Sequence, residues 1–485
     1  MKKFIASALI ALAILSFPLA AGGSSEQVLS NSVPMQTQSS GSLLQSSSSD
    51  TAQEDEISRD MSKLTRLYRF VDQNFYKDVD YNKAYEAMAT ALFESLEDKY
   101  SYYIAAEEKD DYVEQTLGTY GGIGLYFSKT YIQYQDEEDI TTWYCLVDRV
   151  FPNTPCSRAG LRSGDLITAI DGTDVKDLEA TDCAKLMKGE AGTKVQLTVK
   201  RSDQEFVLNL TRQIVDVPTV EYTTIDNGSI GYIQITQFSE STWQKMVEAL
   251  IDFDDRKVKK IIIDLRSNGG GDINTALSIA DSFISKGELL TINYKNSDPE
   301  VYNARSQTLV DSDVKVALLT NGQTASSSEI LTGAMKDNNR ATIIGTKTYG
   351  KGIMQVVSPF DEGYISLTEA SFVTASHNEI HGVGIEPDIL VPELEMTDEE
   401  AESYTNVYND GVIADYVDAH PDFTDENIEA FKLDPKYGEI RHEILRILVR
   451  YEYINRLPGD QQFLIDPNYD QCLKTAVDFL NGETK

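Results

Sequence analysis

The stretch VKVALLTNGQTASSSEILTGAMKDNNRATIIGTKTYGKGIMQ, residues 314–355, decides the fold of this 485-residue chain. Its first apolar run ends at the turn-forming pair Asn321-Gly322, and the small polar residues that follow open a segment with the apolar spacing of a helix. A second β-branched run at 342–344 leads into a glycine-rich loop, after which residues 353–357 have the pattern of a strand. The sequence therefore predicts a strand, a tight turn and a helix, with serines at the helix start facing a lysine in the loop.

Two chemistries are open to these residues. The loop GTKTYGKG at 345–352 nearly matches a phosphate-binding loop, but Gly352 stands where that motif needs a hydroxyl, and a strand pattern follows where it needs a helix. The other chemistry is a serine nucleophile activated by a lysine base. It requires a hydroxyl on a sharp turn, a lysine buried enough to be neutral, and backbone N–H groups aimed at the oxyanion. A helix N-terminus offers such groups, so we favour the second chemistry.

The same motifs resemble those of the carboxyl-terminal processing peptidases, also called tail-specific proteases, which are serine endopeptidases of family S41 with an embedded PDZ domain. TASSSE at 324–329 is similar to the family's nucleophile block, and GKG followed by a glutamine is similar to its base block. The resemblance makes Ser326 the nucleophile, Lys351, 25 positions later, the base, and Gln355 the residue that orients the base. Relatives usually carry alanine where this chain has Ser327, a change that leaves the backbone N–H in place.

Each of these residues also has a structural alternative when taken alone. Three serines before Glu329 fit a helix-capping signal, a loop lysine is usually solvated, and a glutamine on a strand is an ordinary polar residue. The two histidines near the following turn, His377 and His381, fit hydrogen-bonded loop positions better than a catalytic base. The combination of motifs is what favours catalytic roles for the serine and the lysine.

A second glycine-rich loop follows the apolar run at 258–264. A fully apolar strand that ends in glycines is typical of a buried parallel strand whose C-terminal loop offers bare backbone to a ligand. The resemblance assigns the two oxyanion donors to the backbone N–H groups of Gly271 and Ser327. For Gly269 and Gly270 we expect only a tight turn.

A PDZ-like segment, residues 118–212, precedes this core. GIGL followed by RAGLRSGDLITAIDG at 158–172 resembles a PDZ domain, whose glycine loop lets backbone N–H groups point at a carboxylate. The resemblance implies protein or peptide substrates that are recognised through apolar C-terminal residues. The four residues of that carboxylate loop are Gly122, Ile123, Gly124 and Leu125.

The N-terminal part of the chain consists of three consecutive segments that differ in composition. Residues 1–22 combine lysines, an apolar run and small residues, which predicts a secretory signal and an exported, periplasmic or otherwise extracytoplasmic protein. An uncleaved membrane anchor is the alternative. Residues 23–55 are rich in serine and glutamine, which predicts a disordered linker. Residues 56–117 have helical apolar spacing; in relatives such helices support dimerisation, and packing within one chain is the alternative.

The expected fold class is therefore multidomain α+β. An N-terminal helical region and the PDZ domain are followed by an α/β peptidase core at 213–396 with a mixed sheet, for which the resemblance implies a crotonase/ClpP-like architecture. Residues 397–485 predict an acidic, then helical, C-terminal extension. The resemblance implies a homodimer through N-terminal and C-terminal helices, and a regulatory adaptor is a further partner that it allows.

Composition argues against two classes of partner, nucleic acids and metal ions. The formal net charge of −35 argues against binding to a phosphate backbone, so no nucleic-acid partner is expected. The four cysteines lack CxxC spacing, so we expect no metal and no cofactor. Cys156 is predicted to be a buried free thiol, with a disulfide as the alternative that an exported protein permits.

Three functional hypotheses follow. The favoured one is an exported serine endopeptidase that processes or degrades envelope proteins. The rival is a catalytically inactive binding module, in which the PDZ domain recruits partners and the peptidase fold is a scaffold. A penicillin-recognising serine–lysine enzyme would need the two residues three positions apart, whereas Ser326 and Lys351 are 25 apart.

Overall fold

The computed structural model describes most of the chain in two compact units. The first unit comprises residues 1–24, 110–355 and 369–485, and the second comprises residues 25–109 and 356–368. Apart from Phe4–Ala6, which form strand β1, the predicted signal segment lies outside the described residues. The described residues are 4–6, 48–106, 119–133, 141–201, 204–457 and 465–483.

The second unit contains the predicted N-terminal helices. They are α1 (Ser48–Asn74) and α2 (Tyr81–Glu94), followed by the short strand β2 (Tyr102–Ile104). Helix α1 begins inside the stretch 23–55, for which composition predicted a disordered linker. The predicted end of the linker, residue 55, was therefore placed too late, because the good helix formers Ala, Gln and Glu follow Ser48 closely. The rest of the predicted linker lies outside the described residues.

Helix α1 has the predicted apolar spacing, but its apolar side chains face solvent. Leu67 is 59% exposed and Phe70 is 64% exposed. Residues that recur on one face of a helix normally cover a core. Within the described part of the chain, this face is left largely uncovered.

The PDZ-like segment folds into antiparallel strands with two helices. Its main sheet has the order β1-β4-β5-β6-β8-β9, with β7 beside β6, while β3 and β10 form a separate antiparallel pair. Its core includes the thiols of Cys145, Cys156 and Cys183 together with branched apolar residues. The elements are β3 (Thr119–Gly122), β4 (Leu125–Gln133), β5 (Thr141–Val150), α3 (Pro155–Arg158), β6 (Leu166–Ile170), β7 (Thr173–Asp174), α4 (Ala180–Met187), β8 (Lys194–Arg201), β9 (Gln204–Thr211) and β10 (Gln213–Asp216).

The core that follows is built on a mixed six-stranded sheet, as predicted. The strand order is β11-β12-β13-β16-β17-β20, and every pairing is parallel except that of β11 with β12. In chain order the elements are β11 (Val220–Ile225), β12 (Ile230–Ile235), α5 (Glu240–Asp255), β13 (Lys260–Asp264), α6 (Ile273–Phe283), β16 (Lys315–Thr320), α7 (Ser327–Asp337), β17 (Thr342–Gly345) and β20 (Ile389–Leu390).

A second sheet has the order β15-β14-β19-β18. Its strands are β14 (Glu288–Tyr294), β15 (Glu300–Asn303), β18 (Ile353–Phe360) and β19 (Gly363–Val373). The alternation of residues at 365–368 and 372–374 predicts two short strands, whereas the structure has the single strand β19. No Gly, Pro, Asn or Asp interrupts residues 369–371, so nothing in the chain breaks the extended run.

The C-terminal region has two parts with different cores. The helices α8 (Asp398–Asn409), α9 (Val412–Ala419), α10 (Asp425–Ala430) and α11 (His442–Asn455), with a 3₁₀ turn at Pro435–Tyr437, pack around their own apolar cluster. After a second 3₁₀ turn, Pro467–Tyr469, the last helix α12 (Gln471–Asn481) instead shares the core of the six-stranded sheet. The predicted single extension, 397–485, is therefore divided.

An ion-pair network fixes the start of α12 to the sheet. Arg266 donates to Asp264 at 2.6 Å and to Asp470 at 2.7 Å, and Tyr232 donates to Asp264 at 2.7 Å. Asp470 is also the N-cap residue of α12, where it accepts from the backbone N–H of Leu473. No helix in the described parts of the chain is long and apolar enough to cross a membrane.

Candidate active site

A side-chain-supported turn brings the predicted nucleophile to the start of α7. Strand β16 ends at Thr320, and the Oδ1 atom of Asn321 then accepts from the backbone N–H groups of Ser267 and Gln323. The backbone N–H of Thr324 donates to the Asn321 carbonyl oxygen at 2.9 Å, which closes the turn. The turn predicted at Asn321-Gly322 is confirmed, and an asparagine there supplies its hydrogen bonds.

Ser326 occupies the N-cap position of α7 in an uncommon backbone conformation. Its φ is 57° and its ψ is −121°, on the side of φ that L residues rarely adopt. Such a conformation costs free energy and is found where the surrounding structure imposes it, often at functional sites. The residue is 7% exposed. The predicted sharp turn is thus confirmed, while the nucleophilic role itself stays a prediction.

The predicted base lies on a loop that is held just as tightly. Lys351 is only 1% exposed, which is rare for a lysine. The residue before it, Gly350, has φ 90°, and a Cβ atom there would lie 2.9 Å from the backbone nitrogen of Gly384. The carbonyl oxygen of Gly350 accepts from the N–H of Gly382 at 2.9 Å. The lysine loop is therefore supported by the backbone at Gly382 and Gly384.

Glu329 joins the serine segment to the lysine loop. Its Oε2 atom accepts from the backbone N–H groups of Ser326 at 2.9 Å and Lys351 at 2.7 Å. Its Oε1 atom accepts from the N–H of Gly350 at 2.7 Å and from the hydroxyl of Thr348 at 2.6 Å. The Oε2 atom accepts from both Ser326 and Lys351. The backbone nitrogens of these two residues therefore lie no farther apart than the sum of the two hydrogen-bond lengths.

The sequence suggested only a capping role for Glu329. The side chain is fully buried, and burial raises its pKa above the usual range of a glutamate, although all four donors act in the opposite direction. Capping does occur, since the carboxylate accepts from the N–H of the N-cap residue, but the same group also reaches a loop far along the chain. The glutamate at the third helical position was the sequence signal for capping. The sequence did not show that the same carboxylate also binds the lysine loop.

Gln355, the third predicted residue, is buried on β18 in the same unit. It is 1% exposed and lies four positions after Lys351. Burial of an amide side chain requires hydrogen-bond partners, so the position suits a residue that organises other polar groups. Its assignment as the residue that orients Lys351 stays a prediction.

The glycine loop after β13 approaches the serine more closely than expected. Gly270 has φ 106°, and a Cβ atom there would lie 2.7 Å from the Cβ of Ser326 and 2.9 Å from the nitrogen of Ser327. The expectation that Gly270 serves only a tight turn was therefore wrong, because the absence of a side chain also makes room for the serine. At Gly271, φ is 136° and a Cβ atom would lie 2.0 Å from the carbonyl oxygen of Phe238.

The two predicted oxyanion donors lie on segments that are tied to each other. The hydroxyl of Ser327 donates to the carbonyl oxygen of Gly271 at 2.6 Å. Among the described residues, neither the N–H of Gly271 nor the N–H of Ser327 donates to a protein acceptor. Both donors thus remain open for another acceptor. Their oxyanion role stays a prediction.

Asn268 is a positioning residue that sequence reasoning missed. Its side chain donates to the carbonyl oxygen of Ile235 and accepts from the N–H of Gly270. Its carbonyl oxygen accepts from the N–H of Ala325 at 3.0 Å and from the hydroxyl of Ser328 at 2.9 Å. A single buried asparagine therefore links the glycine loop to the serine segment. The signal was a polar residue at the end of a buried strand.

The remaining candidates are the two histidines and the four cysteines. His377 and His381 are exposed, and the backbone of His381 lies beside Gly352. Cys156 is a buried free thiol, as predicted, and the other three cysteines are also unpaired. The described residues contain no cluster of His, Cys, Asp and Glu that could hold a metal ion.

The predicted carboxylate loop of the PDZ domain has a defined conformation. Gly124 has φ 85°, and a Cβ atom there would collide with the side chain of Thr154. Ile123 is buried, and its carbonyl oxygen accepts from the N–H of Cys156 at 3.0 Å. Leu125 is buried as well and begins β4. The conformation of the loop is thus defined by these contacts, and its binding of a carboxylate stays a prediction.

Comparison with known proteins adds to this geometry. The sequence model of peptidase family S41 matches residues 229–391, and that of the PDZ domain matches residues 146–201. The probable CtpA-like serine protease of Staphylococcus epidermidis is 31% identical over 378 residues, which cover 78% of this chain and 72% of that protein.

The probable CtpA-like serine protease of Staphylococcus aureus strain COL is 31% identical over 333 residues; the match covers 68% of this chain and 64% of that protein's length. Among solved structures, the photosystem II D1 C-terminal processing protease is 25% identical, with 67% of this chain and 86% of that chain covered and a TM-score of 0.40. On the family match and the shared length with the S. epidermidis protein, the chain belongs to peptidase family S41, among its CtpA-like members with a PDZ domain.

Proposed function

We propose that this chain is an exported serine endopeptidase with a serine–lysine catalytic site. Ser326 attacks the carbonyl carbon of the scissile peptide bond, and Lys351 takes the hydroxyl proton and returns it to the leaving amine. Water then attacks the acyl-enzyme, Lys351 takes a proton from that water, and the proton passes to the Ser326 oxygen as the ester bond breaks and the acid product leaves. The observation that carries the proposal is the shared Glu329 oxygen, which holds the backbones of Ser326 and Lys351 together.

Burial supports the role of the lysine. An amine can act as a base only in its neutral form, and removal from water disfavours the ammonium form. Lys351 is nearly inaccessible. Gln355, buried on the strand that continues from the same loop, holds the amine in place in this mechanism.

The oxyanion of the tetrahedral intermediate is stabilised by the N–H groups of Gly271 and Ser327. Support comes from the open state of both donors and from the bond between the Ser327 hydroxyl and the Gly271 carbonyl oxygen. Donors fixed in advance cost no reorganisation during the reaction, and loss of one such donor typically lowers kcat by about 100- to 1,000-fold. A crotonase/ClpP-like arrangement of the core is part of this proposal.

The PDZ domain, in this proposal, captures the C-terminal carboxylate of a protein substrate through Gly122–Leu125. An extended peptide adds to a strand edge while the glycine loop binds its terminal carboxylate. The substrates are envelope proteins outside the cytoplasm, since the sequence begins with the pattern of a secretory signal. Processing and degradation of such proteins are the two outcomes of the same cleavage.

A purified-enzyme experiment tests the catalytic site. Ser326→Ala and Lys351→Ala should each abolish cleavage of an unfolded substrate with a free C-terminus, and Ser326→Ala should abolish labelling by a fluorophosphonate. Ser285→Ala and Lys347→Ala change exposed residues and serve as matched controls that keep both activities. Cleavage by either folded active-site variant would remove the serine–lysine pair from consideration.

The same labelling experiment tests the rival function. A binding module without catalysis would bind peptides but fail to react with the fluorophosphonate in the wild-type chain. The fixed arrangement of Ser326, Glu329 and Lys351 favours the enzyme, because a scaffold does not require a buried lysine or a strained serine.

The exposed face of α1 supports a homodimer as the assembly. Leu67 and Phe70 lie one helical turn apart and are both more than half exposed, as an unburied interface residue would be. In this proposal two copies cover these faces with each other. Leu67→Glu combined with Phe70→Glu should convert a dimer into a monomer in sedimentation velocity, and a wild-type chain that sediments as a monomer at high concentration would contradict it.

A further inference from the structure

The backbone of Phe238 holds the residues on both sides of Gly271. Its N–H donates to the carbonyl oxygen of Gly270 at 2.9 Å, and its carbonyl oxygen accepts from the N–H of Asp272 at 2.9 Å. Together these two bonds form an isolated parallel bridge between Phe238 and Gly271, which does not use the N–H of Gly271 itself. The position of this predicted oxyanion donor therefore depends on the position of Phe238.

The side chain of Thr242 holds the corner of the chain that carries Phe238. Its hydroxyl donates to the carbonyl oxygen of Gln237 at 3.0 Å and accepts from the N–H of Ser239 at 2.9 Å. These are the residues immediately before and after Phe238. One side chain thus fixes the backbone on both sides of Phe238, and Phe238 in turn fixes the backbone on both sides of Gly271.

The hydroxyl of Thr242 is buried beside a second hydroxyl. The residue is fully buried, and so is Thr219. Because the one hydrogen of the Thr242 hydroxyl is used by Gln237, the Thr219 hydroxyl, 2.8 Å away, donates to it. Buried polar groups that lose a partner do not recover it from bulk water, so removal of this hydroxyl would leave the corner at Phe238 without its support.

Helix capping is the structural alternative for Thr242. It is the third residue of α5, and Ser239 is the N-cap, so its bond with the Ser239 N–H is one half of a capping box. Capping does not account for the donation to Gln237, which lies before the N-cap. The two roles also differ in their consequences. Loss of a cap lowers stability, whereas loss of the corner would also displace Gly271.

We propose that Thr242 is a positioning residue for the oxyanion site and that it acts through Phe238 on the N–H of Gly271. The inference rests on the proposed function, in which this N–H stabilises the tetrahedral intermediate. Thr242 itself does not touch the substrate. It fixes a donor that is needed only when charge develops on the substrate oxygen, so its effect falls on kcat and not on substrate binding.

The test compares full-length Thr242→Val, which replaces the hydroxyl by a methyl group of similar size, with Thr242→Ser, which keeps the hydroxyl. Thr291→Val is the matched control, because it removes a buried hydroxyl of β14 that donates to Glu288 at 2.6 Å. Each protein is assayed for cleavage of a peptide with a free C-terminus, and active sites are counted by complete fluorophosphonate labelling.

A peptide aldehyde of the same sequence is the second probe. Addition of the Ser326 oxygen to the aldehyde carbon forms a tetrahedral adduct whose former carbonyl oxygen lies in the oxyanion site. The inhibition constant of the aldehyde therefore reports the donors of that site, whereas KM for the peptide reports binding of the ground state. A residue with only a capping role would change neither constant.

Thr242→Val should lower kcat per active site by about 10- to 100-fold at unchanged KM, since loss of a whole oxyanion donor costs about 100- to 1,000-fold and a displaced donor costs less. The aldehyde should bind more weakly by a similar factor. Thr242→Ser should restore most of the activity, and Thr291→Val should match the wild type. A wild-type kcat in folded Thr242→Val, or an equal loss in Thr291→Val, overturns the proposal.

Thr219→Val decides the question if Thr242→Val does not fold. It keeps Thr242 and removes only the donor that fixes the orientation of its hydroxyl, so kcat should fall about threefold at unchanged KM. An unchanged kcat in that variant overturns the proposal. Failure of the proposed function has a different signature. Cleavage by Ser326→Ala, or a wild-type chain that neither cleaves nor labels, rejects the serine–lysine site and this inference with it.

Discussion

The carboxylate of Glu329 accepts a hydrogen bond from the backbone N–H of Lys351 at 2.7 Å, although the two residues are 22 positions apart. The same oxygen also accepts from the N–H of Ser326, the N-cap residue of α7. Glu329 itself lies on the first turn of that helix. One buried side chain therefore sets the relative position of two loops that the sequence separates. A buried acceptor with this many donors is hard to replace, because each unpaired donor would cost free energy.

Replacement of Glu329 by glutamine should lower kcat by at least about tenfold with the fold retained. Each carboxylate oxygen of Glu329 now accepts two hydrogen bonds. In glutamine one of these oxygens becomes an NH₂ donor, so the two hydrogen bonds at that atom are lost and the serine segment separates from the lysine loop. The measurement is peptide cleavage together with a thermal unfolding curve. Glu386→Gln, an exposed neighbour of the same loop, is the control. Full activity in Glu329→Gln would show that the bridge is dispensable.

Gly270→Ala should inactivate the protein, whereas Gly322→Ala should be tolerated. Both glycines lie in loops beside Ser326, but a Cβ at Gly270 would meet the Ser326 Cβ at 2.7 Å, and a Cβ at Gly322 would meet nothing within 4 Å. Gly270 also has φ 106°, which alanine adopts only with strain, while Gly322 has no positive φ.

Cleavage assays and fluorophosphonate labelling of the two glycine variants check this pair. We expect loss of more than about 90% of activity for Gly270→Ala, since displacement of a reacting atom by 1 Å costs roughly 100-fold. Equal activity of the two variants would mean that the loop yields to the added methyl group and does not position the serine.

Asp470→Ala should destabilise the protein by about 1–3 kcal/mol, since it leaves the half-buried guanidinium of Arg266 with only one of its two carboxylate partners and removes the N-cap of α12. Asp478→Ala, which breaks an exposed pair with Lys474, should cost about 0.5 kcal/mol or less. Denaturant unfolding of both variants measures the difference. A smaller loss for Asp470→Ala than for Asp478→Ala would contradict the proposed anchoring of α12.

Asp148 should make stability depend on pH. Burial raises its pKa to about 6, and the hydroxyl of Ser128 only partly opposes this. The folded chain therefore holds this proton more tightly than the unfolded chain. The resulting stability is fully present below pH ~4 and is lost as the pH rises through about 6.

Asp148→Asn removes this dependence, because asparagine does not ionise. The difference in unfolding free energy between the variant and the wild type should be small near pH 4 and should grow to about 2 kcal/mol in favour of the variant above pH 7, allowing for partial solvent access. Chemical unfolding at a series of pH values gives this difference directly. A gap that is constant with pH would exclude Asp148 as the titrating group.

The elements around the motif were predictable because their signals are local. Strand β16, the turn at Asn321, helix α7 and strand β17 each follow from a run of a few neighbouring residues. The start of α1 and the continuous strand β19 were misjudged, since weakly patterned residues take the structure of their surroundings. Ser326, Lys351 and Gln355 were chosen by motif, and the structure supplies their burial without testing their roles.

The contacts that organise the site were not predictable in the same way. Glu329, Asn268 and Gly270 act on residues far away in sequence. By itself, the sequence determined the order of strands and helices, the two glycine loops and the family, because each depends on short patterns. Only the tertiary structure decided which buried polar groups share a hydrogen-bond partner. Hydrogen bonds and close packing depend on distances in space, which the number of residues between two positions does not determine.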